Sequence, residues 1–278
     1  MNNISSITDY QILTKCITFS ESMLSRFGEE SNSKIEYAVI LPLYRQIIEQ
    51  SEGIRMLGKN QLESSTKILA RGAFETYLAI QYILKDKRRV KDRATMYYIG
   101  YLKNQINHIQ SEYDLTDDVN VKENKLKDIE IFKEKVMNIK YRKIREEWER
   151  TKKELNKNNH KGEIDKEPKW HSLYKGPKSI TQLIGKVNNY QTKHLYSYLS
   201  IEAHGYEALN SYEQNRKSVD GNKEMEGIHG EYPELMVTLA AVMLSKVTNT
   251  IINELYPQYA QEELRFAKES GVMYKNSH

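Results

Sequence analysis

The chain is expected to be all-α, a multi-helix bundle carrying a long charged helical arm or hairpin. Three observations point there. Only 5 Pro and 13 Gly interrupt 278 residues, so helices can run long. Apolar residues recur at three- and four-residue spacing through most of the chain, and no strand-like alternation persists. Hydrophobic residues make up 39% and charged residues 29%, the balance of long helices solvated along one face.

Each element follows from its own pattern. Residues 6–27 place Ile7, Tyr10, Leu13, Ile17, Leu24 and Phe27 on one stripe, with Gly28 as the expected stop and GEESNSK as a loop. A second helix is expected from about Ser33 towards Leu57, kinked or shifted in its start by Pro42. A third runs from about Gln61 to Lys85 and ends in the basic run KDKRRVKDR, where cations suit the negative helix end. A structural role for that run is favoured over a phosphate site. A fourth spans about Val90–Glu112 until DLTDDVN breaks it. Residues 118–160 form the Lys/Glu-rich arm, with an apolar stripe through Leu126, Ile129, Phe132, Val136, Ile139, Ile144, Trp148 and Leu155. Packing of this stripe on its own domain is the default reading. SITQLIGKV reads as a short helix capped by Ser179, and residues 191–210 as another. NRKSVDGNKEMEGIHGEYPE is expected as a loop, LMVTLAAVMLSKVTNTIINELY as the central helix, and residues 256–278 as a polar helical tail. The whole, 1–278, is read as a single domain.

Composition narrows the function classes. With 42 basic and 38 acidic residues the net charge is +4, which permits nucleic-acid binding without arguing for it. One cysteine, Cys16, excludes an internal disulfide and a multi-cysteine zinc site, and its setting in ILTKCITF suits a buried hydrophobe. No H-x-x-x-H or H-E-x-x-H is present, so no metal is expected. Neither GxGxxG nor GxxxxGK[ST] occurs, which disfavours dinucleotide and ATP chemistry, and no cofactor is expected. MNNISSITDY lacks the basic start of a signal peptide, and no apolar run approaches the ~20 residues that span a bilayer. A cytoplasmic protein without a membrane partner is expected.

One constellation could carry chemistry. Arg71 and Glu75 lie four apart among Leu69, Phe74, Leu78 and Ile80, and Ser200 and His204 lie four apart in YSYLSIEAHGYEAL. Each pair shares a helix face. The apolar neighbours predict that Arg71 and Glu75 are at least partly buried and need partners. If the two helices pack together, a guanidinium, a carboxylate, a hydroxyl and an imidazole meet. Arg71 would bind an anion through its planar fork, and His204, titrating near neutral pH, would move protons. The plainer alternatives are an intrahelical ion pair and a core histidine. A serine-hydrolase reading fails, because the chain has no nucleophile elbow.

Arg71 and Glu75, then Trp170 with Ser179, Ile180 and Leu183, then Tyr196, Tyr198, Ser200, His204 and Gly205 resemble, in order and spacing, the bacterial family known as domain of unknown function 5677. The resemblance is placed at about residues 35–255, with the N-terminal helix and the arm as variable additions. It implies a helical domain whose recurrent polar residues map to Arg71, Glu75, Ser200 and His204, with Tyr196 and Tyr198 as ligand contacts. More distantly the chain resembles the helical HEPN ribonucleases of toxin–antitoxin and phage-defence systems. Their Arg-x(4–6)-His motif is missing, since none of the seven histidines follows an arginine by that interval. Arg71 and His204 would therefore have to converge from separate helices. Two functions follow as expectations. One is a metal-independent ribonuclease-type effector acting on RNA. The other is a non-enzymatic module that binds a nucleotide-like ligand, a protein partner or a second copy of itself.

Overall fold

The structure is a computed structural model that describes residues 9–158, 160, 163, 165–187, 191–203 and 232–271; for 191–193 and 201–203 only the backbone is described. It is all-helical, with no strand among the described residues. The helices are α1 (Asp9–Glu30), α2 (Ile35–Lys59), α3 (Glu63–Leu84), α4 (Val90–Leu115), α5 (Val119–Met137), α6 (Arg142–Leu155), α7 (Ile180–Val187), α8 (Gln191–Ala203), α9 (Glu234–Leu255) and α10 (Ala260–Ser270). They fall into two compact units. Unit 1 holds α1, α2 from Ile40 onward, α3, α8, α9 and α10; unit 2 takes Lys34–Val39 and Arg88–Lys186.

Unit 1 is organised on α9, which packs against α1 and α3, while α3 also packs against α8. α9 corrects one expectation. At 22 residues it is long and apolar enough to cross a membrane by length and composition, and most of it is buried within the unit. A buried hydroxyl network ties it to α1 and α2. Thr248 Oγ1 donates to the Leu244 carbonyl (2.9 Å), so Tyr44 (2.8 Å) and Ser20 (3.0 Å) donate to it in turn. Each of these hydroxyls is satisfied, as burial requires. Cys16 is buried in the same core, where desolvation pushes its thiol up to about 12.

The end of α1 lies beyond the expected stop: the helix passes through Gly28 to Glu30. A lone helical Gly costs only about 1 kcal/mol. The final turn recovers partners, since Tyr256 donates to the Phe27 carbonyl (3.1 Å) and Ser31 to that of Gly28 (2.9 Å). Pro42 sits inside α2 without ending it. Gly271, at φ +79°, closes α10 in the left-handed conformation that glycine adopts without a Cβ clash.

Unit 2 contains the charged segment. It is not one helix: Asn138 breaks it into α5 and α6, accepting from the backbone of Lys140 (3.1 Å). Arg145 Nη1 donates to the carbonyls of Val136 and Asn138 (2.8 Å each), satisfying the end of α5. Its apolar stripe packs on α4 in a core of Met96, Ile99, Leu102, Val136, Tyr141, Ile144, Trp148 and Leu173. Leu126 and Ile139, expected on that stripe, are exposed, Ile139 because it lies in the break between α5 and α6. Gly100 gives Trp148 and Trp170 access to α4, since a Cβ there would stand 3.0 Å from that of Trp170. Ser179 caps α7 as expected, accepting from the Gln182 backbone at 3.2 Å.

Candidate functional site

α3 and α8 pack together, and the expected residues meet there in part. Arg71 Nε donates to Glu75 Oε1 at 3.3 Å. Tyr196, from α8, donates its hydroxyl to the same oxygen at 3.1 Å, and Arg71 Nη2 reaches that hydroxyl at 3.4 Å. The guanidinium also lies 5.5 Å from the Tyr196 ring centre, within cation–π range. Phe74 backs the tyrosine, its ring centre 6.1 Å away. Burial draws the Arg71 guanidinium down, but the Tyr196 hydroxyl and the Glu75 carboxylate outweigh it, so its pKa is raised and the cation is held charged.

Arg71 is partly buried as expected, whereas Glu75 is exposed. The Arg71 side chain is 25% exposed and that of Glu75 45%. The reason is the helical phase. Ser64, Ile68 and Glu75 form the exposed stripe of α3, while Phe74, Leu78 and Ile80 face the core. Neighbours in sequence therefore say little about Glu75, because they point elsewhere.

Ser200 is on α8, but its hydroxyl donates to the Tyr196 carbonyl one turn back (2.7 Å). Its proton thus serves the helix, and Ser200 can only accept from another group. His204 lies outside the described residues, as do Gly205 and most of the loop expected at 215–234. Tyr198 pairs with a residue that sequence reasoning passed over: Lys67 Nζ lies 5.1 Å from its ring centre and 2.9 Å from Glu63. The signal was available, since Glu63, Lys67, Arg71 and Glu75 recur every fourth residue along α3. A further polar group approaches α3 at Gly72, where a Cβ would come 3.1 Å from Gln50 Nε2. The Gln50 Oε1 atom is buried and has no hydrogen-bond partner among the described residues.

Other constellations do not add chemistry. The string GIRMLGKN at 53–60 stops one residue short of a phosphate-loop signature. Gly53 and Gly58 lie inside α2, however, where they admit Leu69 and Val237 against the backbone. A cleft of about 330 Å³ in unit 2 is lined by Lys103, Ile106, Lys133, Val136 and Glu167. Among the described residues no group of three His, Cys, Asp or Glu is placed to hold a metal ion.

No curated protein and no solved structure matches the chain. A family model does: residues 37–222 fit the one described as Family of unknown function (DUF5677). The match runs through the charged segment of unit 2 and stops short of α9, so it ends earlier than the motifs suggested. With more than half of its length matched, the chain belongs to the family of unknown function DUF5677.

Proposed function

We propose that this chain is a HEPN-like, metal-independent ribonuclease-type effector of bacterial defence or toxin systems, acting on RNA in the cytoplasm without a cofactor. The observation that carries the reading is the state of Arg71. Its carboxylate partner is exposed, and an exposed ion pair is worth only about 0–1 kcal/mol. A phosphodiester can take Glu75's place at low cost, accepting two parallel N–H bonds from the guanidinium. The Tyr196 hydroxyl, 3.4 Å from Arg71 Nη2, is a second donor for the same anion.

In this reading His204 takes the proton of a ribose 2′-hydroxyl, whose oxygen attacks the adjacent phosphorus. Arg71 holds the charge that develops on the phosphoryl oxygens. The 5′-oxygen leaves with a proton returned by the imidazole, giving a 2′,3′-cyclic phosphate and a 5′-hydroxyl. Glu75 orients the cation until the phosphodiester displaces it, and Ser200 orients the ring as an acceptor. The test is incubation of the full chain with RNA in EDTA. Cleavage with cyclic-phosphate ends is expected, together with its loss in a His204→Ala protein of unchanged circular dichroism.

A second reading is favoured by one observation: Ser200 commits its proton to its own helix, which leaves fewer groups for chemistry. A module that binds a nucleotide-like ligand through Arg71, Tyr196 and Tyr198, or that pairs with a protein or a second copy, needs no proton transfer. Wild type that cleaves no RNA yet binds a mononucleotide in an Arg71-dependent way would establish it.

A further inference from the structure

The basic run after α3 has a setting in unit 2 that the site above does not use. Three segments converge there, since α4, α6 and the 3₁₀ turn Trp170–Lys175 pack against one another. The stretches RRVKDR (88–93), KYRK (140–143) and YK (174–175) hold eight Lys or Arg and one Asp. The chain as a whole has 42 basic and 38 acidic residues, so this is a local concentration of charge. It centres on Tyr174. Arg89 and Lys143 lie over its ring, 5.9 and 5.8 Å from the centre. The Tyr174 hydroxyl is buried and has no hydrogen-bond partner among the described residues.

The backbone beneath is held in an unusual form. Tyr174 and Lys175 have φ of 54° and 57°, a left-handed pair that non-glycine residues rarely adopt. Glu147 fixes it by accepting the Tyr174 N–H at 2.6 Å. Two carboxylates are near, one bound within the fold and one in an exposed pair that a phosphate can displace. Glu147 accepts from Arg150 Nη2 and Nε (2.6 and 2.8 Å), and Asp92 lies 3.5 Å from Lys143. Backbone strain kept in place by a buried carboxylate, around an unused hydroxyl donor and two cations, marks a place built to receive something.

We infer that this face of unit 2 binds the phosphate backbone of an RNA strand, with Arg89 and Lys143 contacting phosphates and the Tyr174 hydroxyl donating to a phosphate oxygen. The charge calls for a polyanion. A single buried hydroxyl and one half-buried guanidinium suit a discrete phosphate that reaches into the surface, as on a flexible strand, better than the flat face of a bilayer. Binding here rests on unit 2 alone and is separable from cleavage at α3–α8.

The experiment is fluorescence anisotropy of a labelled single-stranded RNA with the full chain, between about 50 and 200 mM salt. Wild type should bind, and weaken steeply as salt rises. Arg89→Gln with Lys143→Gln should lose roughly tenfold or more and flatten the salt slope by about two contacts. Tyr174→Phe, which keeps the ring and its packing, should lose a few-fold. Lys127→Gln, an exposed lysine of α5, should bind as wild type does. Circular dichroism checks each variant. Arg89-dependent binding by a wild-type chain that also cleaves leaves both readings standing; absent cleavage with intact Arg89-dependent binding removes only the nuclease. Equal RNA affinity in wild type and the double variant would overturn the inference, as would binding to acidic lipid vesicles but not to RNA.

Discussion

Two carboxylates of this chain, Glu75 in unit 1 and Glu147 in unit 2, have reversed the fates their neighbourhoods suggest. Glu75 sits in one of the more apolar stretches, KILARGAFETYLAIQYIL, and its side chain is 45% exposed. Glu147 sits in KIREEWERTKKEL, among the most charged, and its side chain is 7% exposed. Both have an arginine within one helical turn. What differs is the third partner. Glu75 meets a tyrosine hydroxyl at a half-open helix–helix seam, whereas Glu147 receives the backbone N–H of Tyr174 and the hydroxyl of Thr151. A carboxylate that satisfies a backbone donor is part of the fold, and an exposed one that shares a half-buried cation is available for exchange.

The largest effect is expected at Glu147. Glu147→Ala leaves the Tyr174 N–H without its acceptor, and the left-handed pair at 174–175 without its clamp. A loss of about 1–3 kcal/mol is expected for a buried donor left unpaired, read as a lowered urea midpoint. A midpoint equal to wild type would mean that Glu147 does not hold the turn.

Acid sharpens the same point. The Arg150 hydrogen bond, working against desolvation and aided by the Tyr174 N–H, holds the Glu147 carboxyl below its ordinary value of 4.5. A carboxylate depressed in the fold contributes stability that is fully present above the unfolded value. That contribution is lost as pH falls through the folded one. The gap in stability between wild type and Glu147→Gln should therefore narrow as pH drops below about 4.5. A gap that stays constant through that range would show that the carboxylate's charge is not what matters.

At the small end stands Glu75→Ala. An exposed pair gives up only a few tenths of a kcal/mol, so its urea midpoint should lie close to that of wild type. A loss as large as that of Glu147→Ala would place Glu75 in the core after all.

How much of this was legible beforehand divides along physical lines. Helices with one strong apolar stripe were readable because burial of that stripe is what forms them: α3, α4 and α9 lie within a few residues of their expected spans. Local caps were readable too, as Ser179 shows, because the cap and its helix are neighbours in sequence. The meeting of Arg71 with Tyr196, 125 residues apart, was legible only as two patterned helices needing partners. Burial of single polar residues was not legible, because it depends on a few degrees of helical phase and on which face another segment covers. The turn at Tyr174 could not be read at all: a left-handed tyrosine is set by the Glu147 contact from 27 residues away, and no local motif announces it.

The proposed function rests on the half-open triangle of Arg71, Glu75 and Tyr196. The direct measurement is the RNA cleavage rate of Arg71→Gln beside wild type in EDTA, with melting curves taken on the same samples. Removing one donor to a developing anion typically costs about 10²–10³ in rate. The prediction is a loss of that order in a protein that melts within a few degrees of wild type. A well-folded Arg71→Gln protein that cleaves RNA at the wild-type rate would contradict it.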